Sequence, residues 1–146
     1  MMDFTASTIR HFKDAQLLEN NQRLANAGQL YGFCAECGIK ALLISLGYPT
    51  DTEGSPVKKP SNGEPCIRVH INQLAAIKTP MDIYASGRNG AKYLALIPNI
   101  HFFRDWSIEH RYYDEQQIPS SLSAWRQAAI EVRQMMEEAG IDGVLK

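Results

Sequence analysis

Hydrophobic residues recur at three- and four-residue steps through most of the chain, which is the spacing of helices that bury one face. The first such segment runs from Thr5 to about Glu19, and Thr5 or Ser7 is its candidate N-cap. A longer segment follows from about Gln22 to Leu46, and Gly47 predicts its end. Two consecutive amphipathic helices are therefore predicted in the first third of the chain.

The middle of the chain is less regular. Residues 48–66 contain four prolines and two glycines, which predict a long loop. A short helix is predicted from near Ile67 to Ile77, with Thr79-Pro80 as its stop. In the stretch "GRNGAKYLALIPNI", the glycine-rich start predicts a turn, and the apolar remainder before Pro98 favours a helix.

Two further helices are predicted in the last third. One extends from about Asn99 to Gln117, and the break at Ile118-Pro119-Ser120-Ser121 separates it from a final helix, Leu122 to Ala139, with Gly140 as its stop. No alternating strand pattern with hairpin turns is present. The sequence predicts an all-α fold: a single domain spanning 1–146, built as a bundle of four to five main helices.

Composition narrows the function classes. The formal net charge is −1 and the pI about 6.4, so no whole-molecule field attracts nucleic acid. The most apolar stretch, Gly38 to Gly47, contains Lys40 and is too short to cross a membrane. The chain starts without a basic region followed by an apolar run, and its three cysteines are an odd number. We expect a reduced, cytoplasmic protein that does not enter a membrane.

Cysteines offer one candidate metal centre. Cys34 and Cys37 have a CxxC spacing, and Cys66 with His70 could complete four zinc ligands. Both residues of the CxxC pair fall inside a long helical pattern, whereas zinc pairs usually lie on tight turns. Small apolar cysteines in a core explain the same spacing. We therefore predict neither a metal nor any other cofactor, and keep the zinc site as an alternative.

The stretch "RDWSIEHRYYD" contains the densest chemistry. His110 could accept the proton of a ribose 2′-hydroxyl, and Arg104 could bind the phosphate and stabilise its developing charge, which together would cleave RNA without metal. Asp105 would orient one of the two. On a regular helix, however, six steps separate the two side chains by about 120°, so a dimer would have to bring them together. The alternative is a bundle helix with a charged face.

A family resemblance bears on this choice. The segment "RHFKDAQLLENNQRLANAGQLYGFCAECGIKALLISLG" resembles the start of a HEPN (higher eukaryotes and prokaryotes nucleotide-binding) domain, through the residues Arg10, His11, Asp14, Ala15, Glu36, Lys40 and Gly47. The resemblance continues in "RVHI" and "DWSIEHRYYD" and covers nearly the whole chain. It implies an antiparallel helical bundle that forms a homodimer.

The resemblance also implies two alternative functions. Many HEPN members are ribonucleases with an Arg-x(4–6)-His motif, which Arg104, Asp105 and His110 match. Some are toxins paired with a nucleotidyltransferase that modifies a tyrosine at the spacing of Tyr112, so a toxin or defence setting with RNA or nucleotide as ligand is expected. Non-catalytic members end this segment with a tryptophan and an Arg-Tyr pair, matched by Trp106 and Arg111-Tyr112. These members would bind a nucleotide or a protein.

Overall fold

A computed structural model describes residues 1–60, 65–74 and 88–145, with the side chains of 88–90 excepted. It confirms the predicted all-α fold, and the described residues form no strand beyond an isolated bridge between Thr50 and Pro56. The α-helices are α1 (Phe4–Asn20), α2 (Leu24–Ser45), α3 (Ile71–Leu74), α4 (Arg88–Leu96) and α5 (Leu122–Ile141). Three short 3₁₀ helices are η1 (Ile100–Asp105), η2 (Ile108–Tyr112) and η3 (Glu115–Gln117).

Helix α2 is the centre of the bundle. It packs against α1 on one side and α5 on another, and most of its residues from Ala27 to Leu43 are buried. Glycines permit the closest approaches: a Cβ placed on Gly32 would lie 2.2 Å from the indole of Trp106, and one on Gly38 would lie 2.4 Å from Val132. Trp106 and Val132 can approach the backbone of α2 this closely because glycine has no side chain.

The two N-terminal helices match their predicted extents. The N-cap of α1 is neither Thr5 nor Ser7 but Asp3, whose Oδ1 accepts a hydrogen bond from the Ala6 N–H at 2.8 Å. An aspartate two residues before Thr5 satisfies a free N–H of the first turn equally well. Gly47, with φ +112°, ends α2 as predicted, because that backbone conformation is one that glycine adopts without strain.

Helix α3 begins later than predicted. Residues 67–70 are not helical, and the helix begins at Ile71; the rest of the predicted helix and its Thr79-Pro80 stop lie outside the described residues. The Tyr48 hydroxyl donates to the Pro65 carbonyl at 2.7 Å and accepts the Ile67 N–H at 3.3 Å. This side chain supplies backbone hydrogen bonds that a helical turn would otherwise provide.

The described part of the glycine-rich start of the next segment is helical and not a turn. Arg88, Asn89 and Gly90 already belong to α4, while Gly87 lies outside the described residues. The helical preference predicted for the apolar remainder is confirmed. Tyr93 is buried and its hydroxyl donates to Asp142 at 2.8 Å, which anchors α4 to the end of α5. Packing against α5 therefore outweighs the turn preference of Gly90.

The prediction of one continuous helix from Asn99 to Gln117 is wrong. The segment forms η1, η2 and η3, separated by extended residues. The Ser107 hydroxyl accepts the Glu109 N–H at 3.1 Å, and Asp114 accepts the Gln116 N–H at 2.9 Å. Such local side-chain bonds compete with continuous helix formation. The 120° separation expected for Arg104 and His110 on one helix consequently does not apply.

The last helix begins at Leu122 as predicted but ends later. Ser121 occupies its N-cap position without making a capping bond, and its hydroxyl donates instead to Asp105. Gly140 is still helical, and the residue with a left-handed backbone that follows the helix is Gly143, with φ +76°. The Val144 N–H then returns to the Ala139 carbonyl at 2.9 Å. That closing bond needs a residue with positive φ after the last turn, which Gly143 supplies.

Candidate functional site

The segment containing the predicted site is fastened to α2 by two long-range hydrogen bonds. The indole Nε1 of the buried Trp106 donates to the Gly28 carbonyl at 3.0 Å, and Gln29 Nε2 donates to the Ser107 carbonyl at 2.8 Å. Trp106 also fills the space left by Gly32. Residues on either side of Trp106 are therefore held at fixed positions against the bundle.

Asp105 fastens the same segment to α5. Its carboxylate accepts a hydrogen bond from Trp125 Nε1 at 2.9 Å and another from the Ser121 hydroxyl. Asp105 thus bonds neither Arg104 nor His110, the two side chains it was expected to orient. Its contacts join η1 to the start of α5. Arg104 itself is exposed, and no described residue forms an ion pair or hydrogen bond with it.

His110 faces the interior. Its side chain is only 7% exposed, its ring stacks on Trp125 with centroids 6.0 Å apart, and Tyr113 lies against it at 5.4 Å. The buried Nδ1 has no hydrogen-bond partner. A general base must come within hydrogen-bond distance of the proton it removes. In this arrangement the imidazole is covered by aromatic rings, and Arg104 points to solvent without contacting it.

The predicted binding residues lie on the outside of the same segment. Tyr112 is 76% exposed, and the guanidinium of Arg111 lies over its ring, 4.9 Å from the centroid. Tyr113 is partly exposed beside them. We call Arg111, Tyr112 and Tyr113 the Arg-Tyr face. It is an aromatic and cationic surface, and the inner side of η2 beneath it packs against Trp125 through His110 and against α2.

The segment around the Arg-Tyr face has more acidic than basic side chains. Between Asn99 and Ser121 the only two cationic residues are Arg104 and Arg111, whereas four are acidic: Asp105, Glu109, Asp114 and Glu115. A polyanion approaching this segment would meet more negative than positive side chains. The local charge thus favours a partner that carries basic groups over a nucleic acid backbone.

A second polar cluster lies on α2. Glu36 and Lys40, four positions apart on the helix, form an ion pair with 3.1 Å between the carboxylate and Nζ. Both residues are buried, and the other carboxylate oxygen of Glu36 is 3.0 Å from Nδ1 of His70. The sequence suggested His70 only as a possible zinc ligand, because nothing local connects it to a glutamate 34 positions earlier.

Aromatic rings surround this second cluster. The ring of Phe33 lies between those of His11, His70 and Trp106, with centroid distances of 5.7, 6.4 and 5.6 Å respectively. Burial, followed by the nearby charge of Arg10, lowers the pKa of His11 below its ordinary 6.5. The cluster is therefore partly apolar and partly charged, and it continues from the surface to the buried Trp106.

The zinc alternative is not supported by the positions of its ligands. Cys34 and Cys37 are buried, and burial raises the pKa of Cys34 to about 12 and that of Cys37 to about 11. Nδ1 of His70 is engaged by Glu36. Throughout residues 1–60, 65–74 and 88–145, no three His, Cys, Asp or Glu side chains are grouped as metal ligands. The two helical cysteines pack as small core residues.

Comparisons with known proteins found no match. No protein family profile, no curated protein and no solved structure matches the chain. The HEPN resemblance thus stays a prediction that rests on its own residues. Within the described part of the chain, no helix has both the length and the apolar character needed to cross a bilayer.

Proposed function

We propose that this chain is a non-catalytic, HEPN-like binding module that contacts a protein through its Arg-Tyr face. The observation that carries the proposal is the orientation of η2. His110 is turned inward against Trp125, while Arg111 and Tyr112 of the same short helix are turned outward. This is the arrangement expected if the tryptophan and Arg-Tyr pair are the functional match and Arg104 is incidental.

Two properties of the face favour a protein partner. Tyrosine and arginine are enriched among residues that dominate binding energy at protein interfaces. Tyrosine buries a large area at a low entropic cost, and arginine offers a planar group with five N–H donors. The acidic side chains nearby, Glu109, Asp114 and Glu115, complement a basic protein surface and repel RNA. The RNA- or nucleotide-directed activity that the resemblance implied has no such support in the arrangement of Arg104 and His110.

The resemblance supplies two candidate partners for the face. One is a second copy of this chain, since HEPN domains commonly form homodimers. The other is a nucleotidyltransferase in a toxin or defence setting. Both are proteins that an exposed tyrosine with a stacked arginine could anchor, and neither requires a metal or other cofactor in this chain.

Site-specific photocrosslinking tests the proposal. A benzophenone amino acid placed at Tyr112 should give a discrete crosslinked species, because the residue lies at the centre of the face. The same label at Leu17, which is 62% exposed on α1, is the matched control for an accessible apolar position elsewhere. A species seen with purified protein identifies a second copy, and one seen only in cells of the source organism identifies a different protein.

Charge reversal makes the test specific. Arg111→Glu should abolish the crosslinked species formed from position 112 and leave the folded state intact, since Arg111 is exposed, lies over the ring of Tyr112 and forms no ion pair or side-chain hydrogen bond within the described residues. The proposal fails if position 112 gives no more product than position 17, or if the product persists unchanged in the Arg111→Glu background.

A further inference from the structure

His70 is an accessible imidazole held by a buried carboxylate. The side chain of His70 is 47% exposed, whereas that of Glu36 is only 10% exposed. Glu36 Oε1 and His70 Nδ1 are 3.0 Å apart, and no described residue is bonded to Nε2 of the ring. Because the two nitrogens lie on opposite sides of an imidazole, the edge that carries Nε2 faces away from Glu36.

Lys40 completes the support of this imidazole. A buried carboxylate is costly unless it is paired, and Lys40 supplies the compensating charge at 3.1 Å from Glu36 Oε2. The remaining oxygen of Glu36 is then available to accept the Nδ1 proton of His70. Carboxylates that accept from one ring nitrogen fix the tautomer and increase the electron density at the other.

We infer that His70 is a phosphoryl-acceptor site, with Nε2 as the nucleophile and Glu36 as its positioning residue. This inference concerns a site separate from the Arg-Tyr face and does not rest on the proposed binding function. Lys40 balances the charge of Glu36 on the side of the ring that carries Nδ1, and the Nε2 side is left for the incoming phosphorus.

The chemical step needs only a donor with a labile phosphorus–nitrogen or acyl-phosphate bond. The Nε2 lone pair attacks phosphorus, the bond to the leaving group breaks, and its electron pair departs with that group. With phosphoramidate, whose reactive nitrogen already carries three protons, the leaving group is ammonia. The imidazole ring becomes cationic, keeps its Nδ1 proton, and is stabilised by the adjacent Glu36 carboxylate.

The other histidines of the chain are internal controls. His101 is exposed with its ring against Phe102, and among the residues that the structure describes no carboxylate is bonded to that ring. His11 is partly buried, and His110 is covered by Trp125 and Tyr113. If accessibility alone decided phosphorylation, His70 and His101 would react alike. A faster reaction at His70 would thus report the effect of Glu36.

The experiment treats the full chain with potassium phosphoramidate at neutral pH. Phosphohistidine is located by mass spectrometry without acid treatment, and phosphorus NMR distinguishes the two ring nitrogens. His70 should be phosphorylated at Nε2 roughly tenfold faster than His101, which is the lower end of the effect that such hydrogen-bond partners have on metal-binding histidines. His70→Gln should lose this product and retain the slow reaction at His101.

Glu36→Gln by itself would leave Lys40 buried without its partner, so a Glu36→Gln, Lys40→Met double variant removes both charges together. Circular dichroism and thermal unfolding establish that it is folded. Its His70 should react at the rate of His101. Equal rates at His70 and His101 in the unmodified chain, an unchanged His70 rate in the folded double variant, or reaction at Nδ1 would overturn the inference.

Discussion

The imidazole of His110 stacks on the indole of Trp125, with ring centroids 6.0 Å apart and ring planes 26° from parallel. This contact joins η2 to α5 and turns the predicted catalytic base toward the interior. The same indole donates to Asp105 at 2.9 Å, so two residues of the predicted site are occupied by one tryptophan of the bundle. These contacts of His110 and Asp105 attach the segment to α5.

If His110 is a packing residue, the free energy of unfolding should depend more on the shape of its ring than on its nitrogens. His110→Phe should change the free energy of unfolding by less than about 1 kcal/mol, since it removes a buried Nδ1 that has no partner and keeps an aromatic ring. His110→Ala should cost about 2–4 kcal/mol by leaving a cavity. Urea unfolding measures both, and equal losses in the two variants would contradict the packing role.

The fit of Trp106 against α2 gives a second stability prediction. Gly32→Ala should destabilise the fold by more than about 3 kcal/mol, because its Cβ would lie 2.2 Å from the indole, which is buried and cannot withdraw. Gly140→Ala is the matched control: nothing lies within 4 Å, so the better helix former should stabilise α5 by up to about 1 kcal/mol. Thermal unfolding of both variants checks the contrast, which similar shifts would refute.

The lowered pKa of His11 predicts that the folded state loses stability as the pH falls. Burial and Arg10 lower its folded pKa below 6.5, while Asp14 and Glu36 oppose the shift. The unfolded chain therefore binds more protons as the pH falls below about 6.5, so this residue's contribution to stability is present above that pH and is lost below it. His11→Asn should show a shallower loss between about pH 7 and 5 in urea unfolding. An unchanged slope would exclude the effect.

Most of the bundle could be predicted from local patterns. Helices α1, α2 and α5 follow the spacing of their apolar residues, and Gly47 ends α2 where its left-handed conformation is needed. The failures occur where nearby side chains or distant contacts decide. Ser107 and Asp114 divide one predicted helix into short turns, and nothing in the sequence distinguishes Gly140 from Gly143 as the final stop.

The candidate site was predictable only in part. The exposure of Tyr112 fits a charged outer face, but the burial of His110 depends on Trp125, which lies on another helix. The bond between Glu36 and His70 joins residues 34 positions apart across a proline-rich loop, and no periodicity reports such a contact. Long-range packing sets which of several plausible side chains reaches solvent.

Cleavage of RNA in the presence of EDTA shows whether Arg104 and His110 are catalytic. If they are not, the wild-type chain should cleave mixed single-stranded RNA no faster than buffer, and Arg104→Ala and His110→Phe should be indistinguishable from it. A catalytic Arg104–His110 pair makes the opposite prediction. Wild-type cleavage that disappears in both variants, while each remains folded and as stable as expected, would show that this chain is a ribonuclease and not a non-catalytic binding module.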